Sequence, residues 1–126
     1  MPTLKEYSKF QKSTEVENTF DLQYMALGLG GEVGEVQNEV KKYIRDDKGG
    51  TLTVDRKMKI MLELGDVMWY LNGLCDRIGC SIDEILQMNI NKLKSKMKDN
   101  LKRQQKPQST NLNTNYDSFE MMQSEL

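Results

Sequence analysis

The chain has 126 residues, with 18 basic and 19 acidic side chains, two cysteines and no histidine. Its length suits one domain, and the near-balanced charge argues against a nucleic-acid or membrane-surface binder. It contains no apolar run of the roughly eighteen residues that a membrane span requires, and its opening residues, MPTLKEYSKF, lack the apolar segment of a secretory leader.

Four stretches carry helical periodicity. The first, Thr3 to Lys12, offers Leu4, Tyr7 and Phe10 for packing. The second, Glu15 to Arg45, repeats apolar residues from Leu22 through Met25, Leu29, Val33, Val36 and Val40 to Ile44 at spacings of three and four. "RDDKGGT", Arg45 to Thr51, is a turn signal. The third, Asp55 to Ile78, carries Met61, Leu64, Met68, Leu71 and Cys75 on one face, and Gly79 ends it. "SIDE", Ser81 to Glu84, reads as a capping box opening a fourth helix that reaches Lys102. The class expected is all-α, a bundle of antiparallel helices over residues 1–103. Residues 104–126, rich in Gln, Asn, Ser and Thr, read as a disordered tail, with "FEMMQSEL" able to form a short amphipathic turn. Cys75 and Cys80 lie on a helical pattern and read as reduced thiols of a cytoplasmic protein.

The charge pattern within the helices is the informative part. From Leu22 to Asn38 the only charged residues are Glu32 and Glu35, and from Ile60 to Cys75 they are Glu63 and Asp66. Each pair is spaced i, i+3, so both carboxylates leave the same side of their helix. If the helices pack antiparallel, the four acids converge. At ~4 Å each like-charge contact costs about 4 kcal/mol at an effective dielectric near 20, so something positive must relieve it. Oxygen ligands without histidine or cysteine suit a hard cation, Mg²⁺ before Mn²⁺. Gly28, Gly30, Gly31, Gly34 and Gly65 surround these acids, each costing about 1 kcal/mol in a helix interior relative to alanine. Their missing side chains would let helices or a ligand approach closely.

The fourth helix offers Asn89, Lys92 and Lys96 at spacings of three and four, one face again. Lysine ammonium groups partner phosphate oxygens, and a carboxylate-held Mg²⁺ beside them suits a small polyphosphate. Stable nucleic-acid binding is not expected: the basic segment has no interleaved aromatics, and the acids would repel a phosphate backbone.

"LGLGGEVGEVQNEVKK", "ELGDVMWYL" and "NINKLKSKM" resemble, in order and spacing, the three signature blocks of the MazG-like nucleoside triphosphate pyrophosphohydrolases, in the small form found in phage genomes. The resemblance covers Leu4 to Met97. It implies an all-α, Mg²⁺-dependent homodimer or homotetramer that hydrolyses nucleoside triphosphates, often deoxy or non-standard ones, to monophosphate and pyrophosphate. Carried over by position, Glu32, Glu35, Glu63 and Asp66 are the metal ligands, and Asn89, Lys92 and Lys96 face phosphates or sugar. Glu35 or Glu39 would orient or deprotonate the attacking water. Tyr7, Phe10, Gln11, Tyr24 and Trp69 are candidates for base contacts or for the core. Many relatives have an acid where this chain has Gly31, and an Arg-Tyr pair where it has Lys96 and Met97. Other substrates compatible with these blocks are phosphoribosyl-ATP, dUTP and dCTP. A reading outside enzymology is a helical interaction protein whose acids hold a structural cation.

Overall fold

The computed structural model describes residues 1–16 and 21–106. Four helices make up the described chain: α1 (Leu4–Thr14), α2 (Leu22–Arg45), α3 (Val54–Ile78) and α4 (Ile82–Gln104). Among the described residues there is no strand, and the class is all-α. Side chains set the starts. Thr3, Asp21 and Thr53 accept the N–H groups of Glu6, Tyr24 and Arg56 at 3.1, 2.8 and 3.1 Å, each satisfying an otherwise orphaned donor. The capping box before α4 closes both ways, with Ser81 N–H donating to Glu84 and Glu84 N–H to Ser81 Oγ, each at 3.2 Å.

One boundary differs from the periodicity. The second helix starts at Leu22, not near Glu15. Asp21 supplies the cap there, while Glu15 ends α1 in extended backbone and is held by Arg77 through two bonds of 2.7 and 2.6 Å. The tail from 107 onward, with its FEMMQSEL segment, lies outside the described residues.

The chain divides into two compact units, residues 1–89 and 90–126. In the first, α2 and α3 form an antiparallel hairpin. Met25 lies against Gly73, Gly28 against Tyr70 and Glu39 against Arg56, so numbers fall on one helix as they rise on the other. The turn between them is the expected one: Lys48 and Gly49 take positive φ, 58° and 61°, and the Gly49 N–H donates to the Tyr43 carbonyl at 3.1 Å. Arg56 fastens this end, donating to Glu39 at 2.7 Å and to Asp47 at 2.8 Å.

α1 docks on α3 through polar groups. Gln11 is fully buried; its amide donates to Glu15 at 2.8 Å and its oxygen accepts from Asn72 at 2.8 Å. A side chain at Gly73 would strike Met25 Sδ, 2.8 Å from an added Cβ. The apolar core within the described residues is small. Met25, Cys75 and Ile82 are its buried members, while Leu27, Val54 and Leu62 are 78%, 77% and 69% exposed. A long two-helix hairpin with one short helix upon it has too little breadth to cover its own apolar faces.

Candidate metal-binding site

The antiparallel register brings acids from two helices together. Glu32 of α2 and Glu63 and Asp66 of α3 each offer a carboxylate oxygen, and these oxygens all lie within 4.8 Å of one another. Glu32 and Glu63 are half-buried and Asp66 is exposed. The Glu32 carboxyl is raised above its ordinary value by burial first and then by Asp66, Glu63 and Glu35, with a hydrogen bond shared with Glu63. Burial and like charge together favour a proton or a cation there. The donor set is all oxygen and carries three carboxylates, which fits a hard divalent ion.

Glu35 stands one turn beyond Glu32, exposed, close enough to act on Glu32 but outside the three-acid group. Glu39 is elsewhere. It is buried, accepts from Arg56 at 2.7 Å and pairs with Lys42 at 3.4 Å, and Arg56 first, then Lys42, hold its carboxyl below the ordinary range. Seven residues along α2 from Glu32, it lies about 10 Å away along the helix axis. Its carboxylate is thus engaged by Arg56 and Lys42, whereas a general base has to be free to take a proton from water.

Aromatic groups frame the acids. The ring of Tyr70 lies on Gly28, where any Cβ would overlap it. Of the five glycines around the acids, Gly28 meets a neighbour, whereas Gly30, Gly31, Gly34 and Gly65 have nothing within 4 Å of an added Cβ among the described residues. The Tyr70 phenol is raised by burial, Tyr24, Glu32 and Asp66, and that of Tyr7 by burial and then Asp66. Tyr70 was not among the residues singled out from the sequence. Its signal was its position, one turn after Asp66 and on the same face.

Two expected base contacts are engaged within the fold. Gln11 is closed inside the α1–α3 joint, with both ends of its amide bonded. Trp69 donates its indole N–H to Thr14 at 2.8 Å and sets its edge against Tyr70, ring centres 5.0 Å apart. Of the expected α4 row, Asn89 ends the first unit and Lys92 and Lys96 belong to the second. A separate cleft of about 440 Å³ lies between α1 and the start of α4, lined by Leu4, Lys5, Lys9, Lys12 and Ile82; none of the clustered acids lines it.

Residues 20–100 match the family model of the MazG nucleotide pyrophosphohydrolase domain. The "Gene 37 protein" of Mycobacterium phage L5 is 43% identical over 75 residues, which cover 60% of this chain and 65% of that relative. No solved structure matches. Because the matched segment takes in well over half of the sequence, and both halves of the acid cluster with it, the chain belongs to the MazG nucleotide pyrophosphohydrolase domain family.

Proposed function

We propose that this protein is a Mg²⁺-dependent hydrolase that converts nucleoside or deoxynucleoside triphosphates to monophosphate and pyrophosphate, a role in clearing unwanted nucleotides from the cytoplasmic pool. The observation that carries this reading is the convergence of Glu32, Glu63 and Asp66 within 4.8 Å in a domain of the pyrophosphohydrolase family. These three residues would hold Mg²⁺, with Mn²⁺ as a substitute. Bound there, the ion would supply Lewis-acid neutralisation of phosphate charge.

The chain's own groups account for the remaining requirements. Glu35, exposed beside the cluster, is the carboxylate that orients the attacking water or completes the ligand set. By the family resemblance, Asn89, Lys92 and Lys96 of α4 would be the phosphate contacts, the lysines acting as point charges rather than bidentate clamps. Tyr70 and Tyr7 flank the acids, and Trp69, packed on Tyr70, supports that wall. The exposed apolar side chains of α2 and α3, Leu27, Val54, Met61 and Leu62 among them, support a homodimer or homotetramer, because a patch of that kind is ordinarily covered by a partner.

Hydrolysis in ¹⁸O-labelled water tests the reaction. Attack at the α-phosphorus puts label in the monophosphate. Label only in pyrophosphate, or release of orthophosphate and diphosphate, would overturn the assignment. A panel including dUTP, dCTP and phosphoribosyl-ATP identifies the base and sugar. A cation site of purely structural purpose would bind Mg²⁺ equally well with or without a non-hydrolysable triphosphate, whereas a catalytic site should bind it more tightly with one.

A further inference from the structure

Cys75 and Cys80 take no part in the proposed hydrolysis, yet they are in contact. α3 ends with Gly79 in the left-handed conformation, φ 80° and ψ 34°. The Gly79 N–H donates to the Asp76 carbonyl at 3.2 Å and the Cys80 N–H to the Cys75 carbonyl at 2.9 Å. In this helix-ending motif the two residues joined by the outer bond commonly touch through apolar side chains as well. Here both are cysteines, and Cys80 is close enough to raise the Cys75 thiol. With N–Cα, Cα–C and C=O lengths fixed, the backbone bond keeps the two Cα atoms within about 6.8 Å, the span of a disulfide. Their exposure differs. Cys75 is 2% exposed, whereas Cys80 is half-buried and lines a cavity of about 240 Å³ with Ser8, Lys12, Asn72 and Glu84.

We propose that Cys75 and Cys80 form a modification site, a dithiol that a hydroperoxide converts to an intramolecular disulfide and that a thiol reductant restores. The cavity admits the hydroperoxide to Cys80 first. The Cys80 sulfur attacks one peroxide oxygen, the O–O bond breaks, and the other oxygen leaves as an alcohol with the thiol proton. Cys80 is then a sulfenic acid. The Cys75 sulfur attacks the Cys80 sulfur, an S–S bond replaces the S–O bond, and the hydroxyl leaves as water with the Cys75 proton. Two thiols are oxidised by one electron each and the hydroperoxide is reduced by two. Burial, with Cys80 beside it, pushes the Cys75 thiol up to about 11, so it keeps its proton and resists direct attack. Closure also diverts Cys80 from the irreversible sulfinic acid.

The test uses the full chain, treated with equimolar hydrogen peroxide, alkylated and digested for mass spectrometry. The expected result is joint loss of both alkylatable thiols, a linked Cys75–Cys80 peptide, a chain lighter by two hydrogens, and full recovery with dithiothreitol. Cys75→Ser should instead accumulate Cys80 sulfinic acid or covalent dimers. The proposal is overturned if, in the parent chain, Cys80 reaches sulfinic acid while Cys75 stays alkylatable, if chains link through Cys80, or if both thiols survive excess peroxide. The parent's result decides alone should Cys75→Ser fail to fold.

Discussion

Glu32 is where the conflict between stability and chemistry sits at the scale of single residues. Its raised carboxyl, caused by burial and the acids around it, binds protons more strongly folded than unfolded. Its contribution is therefore fully present below the unfolded carboxylate value and is lost as pH rises through the raised folded value. Metal-free Glu32→Gln should become more stable relative to the parent as pH increases, read from thermal melts across the acid range. Asp66→Asn tests the same cluster from α3. Without metal it should melt at an equal or higher temperature than the parent, because a like charge is gone and the shape is kept. It should lose Mg²⁺-dependent hydrolysis, and Mg²⁺ should raise its melting temperature less. A site at a hundred times its dissociation constant gains about 2.7 kcal/mol from the ligand, which the variant would forfeit in large part. A variant that is clearly less stable yet active would tell against the cluster as the catalytic site. Gly28→Ala probes the wall instead. The added methyl must displace the Tyr70 ring, and overpacking of this kind costs about 1–3 kcal/mol, to be measured by urea unfolding.

Between elements, polar side chains fix what the thin apolar core does not. Gln11 ties α1 to α3 through Asn72. Gln11→Ala leaves that buried amide without its acceptor, and unsatisfied buried groups cost about 1–3 kcal/mol, visible as a lower urea midpoint with α1 exchanging its amide hydrogens sooner. The Glu39–Arg56–Asp47 group closes the opposite end of the hairpin. The Glu39 carboxyl is depressed by Arg56, so its contribution is present above the unfolded carboxylate value and disappears as pH falls through the lowered folded one. Glu39→Gln should therefore melt below the parent at neutral pH and converge with it in acid, the opposite slope to Glu32→Gln. A loss of hydrolysis by protein that is still fully folded would instead make Glu39 the catalytic base.

At the scale of the whole molecule, exposed apolar area stands out among the described residues. Val54, Met58, Met61 and Leu62 of α3 are all exposed, and such a face is a liability for a lone chain in water. Light scattering should find a dimer or larger assembly, and Met61→Glu with Leu62→Lys should shift it toward monomer. An unshifted mass would remove that face from the interface.

The sequence by itself determined the all-α class, the number of helices, the Ser81–Glu84 cap and the family. The Ser81–Glu84 box acts through hydrogen bonds that reach three residues, and apolar periodicity is likewise local, so both are legible in a string. The start of α2 at Asp21 was not, because the apolar pattern alone did not separate it from the end of α1. The paired spacing of Glu32 with Glu35 and of Glu63 with Asp66 is local in the same way, and it pointed to three acids that do converge. Which acids meet was decided only by the register of two helices packed against each other, and that register rests on contacts distant in sequence. Met25 on Gly73, Tyr70 on Gly28 and Arg56 on Glu39 together draw Glu32, Glu63 and Asp66 into one group while setting Glu35 beside it. Glu39 illustrates the limit most plainly. Its spacing from Glu35 marks one helix face, but its partner Arg56 comes from the other arm of the hairpin, 17 residues away. Gln11 likewise reads as an available amide until the fold buries it against Asn72, 61 residues on. Local chemistry is written in local spacing. Charge pairing and burial depend on what the chain brings back from far along its length.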